Sequence, residues 1–219
     1  MTKLSFDPTY FVTYSGTKQL NSVAIFSKFP FIGTPLVQIP GCTESLYRFL
    51  QVQIDGYILI NVYIHQGQLI DSIPYRAKLV FLRALITHID NLHHSFPTQR
   101  IIIGGDFNII PTEADLYNPD HPDWATHAMC SHRERQLYEA ILRLGYEDII
   151  AERLPHRPFT HWIHYRSATD RRQGFRIDYF FTPRVMSHQI TSANVLTHWR
   201  AMPDASDHAP VRIVINPNH

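Results

Sequence analysis

Carboxylates and amides stand just past the ends of apolar runs at several points in this 219-residue chain. In "IIIGGDFNIIP", Ile101 to Pro111, three isoleucines read as a buried strand, and Asp106 and Asn108 follow two glycines. Two residues apart, their side chains share one side if strand geometry persists, with Phe107 on the other. A carboxylate beside an amide that both accepts and donates suits a divalent cation and a phosphate. The same spacing also suits an Asx-type turn. The glycines would let backbone and phosphate approach without a Cβ between them.

Three further places carry similar chemistry. In "FRIDYFF", Asp178 lies within an otherwise apolar strand, where an unpaired charge is costly and a partner is required. Arg176 is the nearest candidate for a structural ion pair. In "SDHAPV", Asp207 and His208 precede the last apolar run, and a histidine held by a buried carboxylate keeps a defined tautomer for touching phosphate or water. In "NVYIHQG", Tyr63 ends a strand, with its hydroxyl either on a phosphate or in the core. The stretch "HWIHYRSATDRRQGFRID" interleaves Trp162 and Phe175 with Arg166, Arg171, Arg172 and Arg176. That mixture suits a nucleic-acid backbone and an unstacked nucleotide, or a solvated basic loop.

These residues need strands to hold them, and the sequence supplies the pattern. Short β-branched and aromatic runs recur, among them "YFVTY", "VAIFS", "LYRFLQVQI", "YILINVYI", "IIIGG", "RIDYFF" and "VRIVI". Two helices interrupt them. From about Tyr75 to Leu92, apolar residues recur every three or four positions. A second begins at Ser131, with Glu134 completing a capping box and Gly145 placed to end it. Strand clusters separated by single helices predict an α+β or sandwiched architecture in one domain spanning residues 1–219. The long segment from Thr112 to Cys130 is loop-like and long enough for a functional role.

Bulk composition narrows the classes. With 44% apolar residues, 18% charged residues and a formal charge of +1, there is no global basic field, so nucleic-acid binding would rest on a local patch. The 14 histidines are scattered without H-E-x-x-H spacing, and Cys42 and Cys130 are too few for a disulfide framework. The opening "MTKLSFDPTYFVTYSG" has neither a signal-peptide pattern nor a membrane-length run, so a cytoplasmic protein is expected.

In order, Y-x-x-Q-G, G-D-x-N, W-x-x-Y-R, R-I-D-Y and S-D-H-A-P-V resemble the exonuclease III family of abasic-site endonucleases, within the endonuclease/exonuclease/phosphatase superfamily. The likeness runs from about Tyr10 to Val214, and "DLYNP" and the Trp-to-Arg segment favour the exonuclease III branch. The resemblance implies a four-layered α/β sandwich with two sheets face to face. It implies Mg²⁺-assisted hydrolysis of DNA phosphodiesters, with Mn²⁺ as a substitute. The activities would be 3′→5′ exonuclease and incision at abasic sites in base excision repair. The partner would be double-stranded DNA with abasic sites or 3′ ends, without membrane contact, and the protein a monomer.

By the same resemblance, Asp106 orients or deprotonates the attacking water and Asn108 holds it. Asp178 pairs with His208, which contacts the scissile phosphate, and Tyr63 lies against that phosphate. Asp106, Asn108, Asp207 and His208 serve the metal. Trp162 and Phe175 line a pocket for an extruded sugar, with Arg166 and Arg176 on the DNA. Family members also open with strands bearing N-x-N-G and Q-E-T-K, whose Asn and Glu bind metal. Neither motif occurs here, so the resemblance implies a lack of on the order of 40 N-terminal residues, including two strands of one sheet. His164 stands where the family often has Asp. Two other readings stay open: a same-fold hydrolase of small phosphoesters, and a catalytically impaired remnant that still binds DNA.

Overall fold

The computed structural model describes residues 8–17, 22–96, 100–120, 124, 127–162, 174–202 and 204–216. The β-branched runs form strands β1 Phe11–Ser15, β2 Val23–Ser27, β3 Ile32–Leu36, β4 Phe49–Ile54 and β5 Tyr57–Tyr63. After helix α1, Ile73–Ser95, and strand β6, Arg100–Asp106, come α2 His132–Arg143, β7 Tyr146–Asp148 and the short α3 Ile149–Arg153. The chain continues through β8 His161–Trp162, β9 Gly174–Phe175, β10 Asp178–Pro183, β11 Ile190–Val195 and β12 Val211–Ile215.

Local chemistry explains the boundaries. Asp55 and Gly56 both take positive φ between β4 and β5, the conformation a two-residue hairpin turn requires. The α1 helix begins two residues before the predicted start: Ser72 caps it by accepting from Tyr75 N, with a proline in the first turn. The predicted capping box at Ser131 and Glu134 is formed in both directions. Gly145 follows α2 at φ +90. No helix among the described residues is long and apolar enough to cross a membrane.

Six strands form one mixed sheet in the order β3-β4-β5-β6-β10-β7. Only β5 and β6 run parallel, and α1 makes the crossover between them. One face of this sheet packs Ile58, Ile60, Val62, Ile101 and Ile103 against Leu82, Leu85 and Ile89 of α1 and Ile141 of α2. The other face is covered in two places. The β1–β2 pair packs near Leu50, Val52 and Leu59, and the β11–β12 pair near Phe180 and α3. The sandwich expected from the sequence is thus present, but its second layer consists of separate two-stranded pairs. Between them, Leu59, Ile102 and Phe180 floor a cleft of about 610 Å³ that extends to Asp178 and His208.

The paired glycines of β6 serve the sheet, which corrects the expectation that they admit a phosphate. A Cβ on Gly105, at φ +135, would lie 2.0 Å from the Val62 carbonyl oxygen of neighbouring β5. One on Gly104 would meet the Phe180 ring at 2.7 Å. Backbone cannot yield as a ring can, so Gly105→Ala is expected to destabilise by about 2–5 kcal/mol. Urea unfolding would show this as a lower midpoint at unchanged slope, and a midpoint equal to the parent's would refute it.

Candidate active site

Asp106 ends β6 and faces Asp178, its direct partner at the start of antiparallel β10. The chain then turns sharply. Asn108 takes φ +51, a left-handed conformation that asparagine tolerates. Its N–H donates to Asp106 Oδ1 at 2.9 Å and its Nδ2 donates to Asp106 Oδ2 at 3.0 Å. The Asx-type turn is therefore present, and it brings the two side chains together. Phe107 points away into the core, edge-on to Tyr179 and Phe181.

The turn is anchored from behind. Lys78, fully buried on α1, donates to the Asn108 carbonyl at 2.6 Å and to Gln66 O at 3.1 Å, and pairs with Glu134. Asn108 Nδ2 also donates to Ile64 O at 3.0 Å. Sequence reasoning missed Lys78. The signal was a lysine on the apolar stripe of α1, beside Tyr75, Leu79 and Leu82.

The partner of Asp178 is His208, whose Nδ1 lies 2.8 Å from Asp178 Oδ2. Thr160 Oγ1 accepts from the backbone N–H of Ile177 and of Asp178, both at 3.1 Å, which fixes the start of β10. Burial alone would lower the His208 value. The Asp178 hydrogen bond and charge, with Asp106 and Asp207, overcome it and raise His208 to about 9. Burial, followed by the Asp178 charge, pushes Asp106 up to about 7. Three carboxylates thus act on one imidazole, two of them facing each other across the β6–β10 pair.

The raised His208 value has a stability consequence. The folded chain holds the His208 proton more tightly than the unfolded chain, whose value is near the ordinary 6.5. The stabilisation is whole below 6.5 and is lost as pH rises through about 9. In chelator, the thermal midpoint is expected to fall across that window, and His208→Gln should flatten the fall. An unchanged slope in the variant would contradict the assignment.

Other expected residues lie nearby with different surroundings. Tyr63 ends β5 with the Arg48 guanidinium 4.7 Å over its ring. Trp162 and Phe175 are both buried, at 6% and 4% exposure, and each has a covered ring face. Arg200 stands 4.0 Å over Trp162, and His161 stacks on Phe175 at 4.6 Å. Arg176 departs from its expected place on DNA: it is wholly buried and spends its guanidinium on Asp115, at 2.7 Å, and on Asp148. It is not the partner of Asp178 either. Arg166, Arg171, Arg172 and His164 lie outside the described residues. Asp207 is about half exposed and meets His161 at 3.4 Å.

The chain is similar to known proteins over most of its length. Residues 2–208 match the model of the Endonuclease/Exonuclease/phosphatase family. The chain is 28% identical over 210 residues to an exodeoxyribonuclease of Bacillus subtilis strain 168, covering 93% of this chain and 77% of that protein. Its fold matches the 3′-5′ exonuclease NExo from Neisseria meningitidis with a TM-score of 0.85 at 29% identity, covering 95% of this chain and 80% of the other. An AP endonuclease from Archaeoglobus fulgidus gives a TM-score of 0.86 at 26% identity with the same coverage.

Proposed function

The chain belongs to the endonuclease/exonuclease/phosphatase family, and on that premise we propose that it hydrolyses DNA phosphodiesters in repair. The activities are 3′→5′ exonuclease and incision at abasic sites. The substrate is duplex DNA, the cation Mg²⁺ with Mn²⁺ as substitute, and the compartment the cytoplasm. The observation that carries this reading is the Asp178–His208 pair set against Asp106 across two hydrogen-bonded strands.

Each side chain has a task in that reaction. His208, protonated and held through Nδ1 by Asp178, donates from Nε2 to a non-bridging phosphate oxygen. Asp106, steadied by both Asn108 donors, takes a proton from the attacking water. Asn108 is held in turn by Ile64 and Lys78, so the pair stays fixed as charge develops. Tyr63 lies against the phosphate at the end of β5. Asp106, Asn108 and Asp207 would hold the cation, which when bound lowers the pKa of water and neutralises charge on the phosphate. Admitting an extruded sugar beside Phe175 requires His161 to move from its ring.

The test is incision of a duplex carrying an abasic-site analogue. Mg²⁺-dependent cleavage is expected, lost in chelator and restored by Mg²⁺. DNA binding without cleavage would favour the impaired remnant. Hydrolysis of a small phosphomonoester without any action on DNA would favour the phosphatase reading.

A further inference from the structure

His161 has no part in the chemistry above, yet it is locked against the site. It faces His208 in an antiparallel bridge. Trp162 N donates to Asp207 O at 3.0 Å and Ala209 N donates to Thr160 O at 2.8 Å. The two histidines therefore form a non-hydrogen-bonded pair, the kind whose side chains stand closest. Their rings meet edge to face with centroids 4.7 Å apart. The stacking on Phe175, at 22° between planes, fixes the remaining orientation.

The donor atoms converge. His161 Nε2 lies 3.4 Å from Asp207 Oδ2. One donor atom from each of His161, Asp207 and His208 falls within 4.8 Å of the others, the only such group of three among the described residues. His208 offers Nε2 because Asp178 occupies its Nδ1, and a carboxylate behind a ligating imidazole is the usual way of orienting one. Zinc with bonds of about 2.0–2.1 Å spaces tetrahedral donors roughly 3.4 Å apart. The His161–Asp207 spacing already has that value, and a donor atom of His208 lies within 4.8 Å of both.

We propose that His161, Asp207 and His208 form a binding site for Zn²⁺ or a similar borderline divalent ion, with a fourth position left open. Two imidazoles and one carboxylate favour such ions over Mg²⁺, which prefers an all-oxygen set. Because the ion takes His208 Nε2, its occupancy and phosphate contact by His208 exclude each other. The site thus competes with the nuclease chemistry while sharing its residues.

Binding is measurable without substrate, so its outcome is separate from that of the nuclease reading. Metal-free protein would be titrated at pH 8 with Zn²⁺ by calorimetry, and with Co²⁺ by visible absorption. One tight ion per chain and the intense bands of low-coordinate Co²⁺ are expected. His161→Phe keeps a ring on Phe175 but removes the donor. It and His161→Ala should each weaken that ion at least about tenfold. Parental affinity in both variants, absence of the cobalt bands, or displacement of Zn²⁺ by an equal concentration of Mg²⁺ would overturn the proposal.

Discussion

Replacing Asp106 with asparagine is expected to lower incision of an abasic duplex by about 10²–10⁴-fold while the chain stays folded. The amide retains the shape of the side chain but cannot accept a proton from water. It also has one acceptor oxygen where the carboxylate uses two, for Asn108 N at 2.9 Å and Asn108 Nδ2 at 3.0 Å. At pH 8 the parent must hold Asp106 charged against burial and the Asp178 charge, since its value is about 7. The neutral amide removes that penalty and the lost hydrogen bond opposes the gain. The metal-free thermal midpoint should therefore be unchanged or slightly raised, as expected where function and stability conflict. A variant that retains a tenth of the activity would sink the assigned role. Equal losses of midpoint and activity would make Asp106 a structural residue.

Arg176→Met is expected to cost about 3–5 kcal/mol of stability, because it leaves buried Asp148 without a cation and Asp115 with only the part-exposed Arg157 at 3.3 Å. Asp115 is wholly buried and Asp148 is 2% exposed. Each also organises local structure. Asp115 accepts from Thr112 N and Oγ1, and Asp148 caps α3 through Ile150 N and Ala151 N. Tyr138 donates its hydroxyl proton to the same Asp148 at 2.7 Å. Lysine should not rescue the loss, since a single ammonium cannot span two carboxylates as the guanidinium fork does. Urea unfolding measures the cost. Had Arg176 contacted DNA, the variant would keep the parental midpoint and show a shallower salt dependence of DNA binding by about one phosphate contact. That pattern would restore the DNA-binding reading.

Some placements were legible in the sequence and others were not. Asp106, Asn108, Asp178 and His208 were legible because each follows or opens an apolar run, and because their order along the chain is specific. Ser131 with Glu134, and Gly145, were legible because capping is local: donor and acceptor sit within one turn. Arg176 was misread because its partners lie 61 and 28 residues away, and nothing nearby marks it as spent. Lys78 went unseen for the same reason, since its contact with the Asn108 carbonyl spans 30 residues.

The sequence by itself determined seven of the strands, the two longer helices, the capping residues of α2, and the set of polar side chains at strand ends. Those follow from periodicity and from contacts within a few residues. Only the tertiary structure decided that β10 lies against β6 in the register that opposes Asp178 to Asp106, and that His161 stands across from His208. It also assigned Gly105 to strand packing and Arg176 to a buried ion pair. Side-chain alternation says which way a residue points, but sheet order and register decide what it meets.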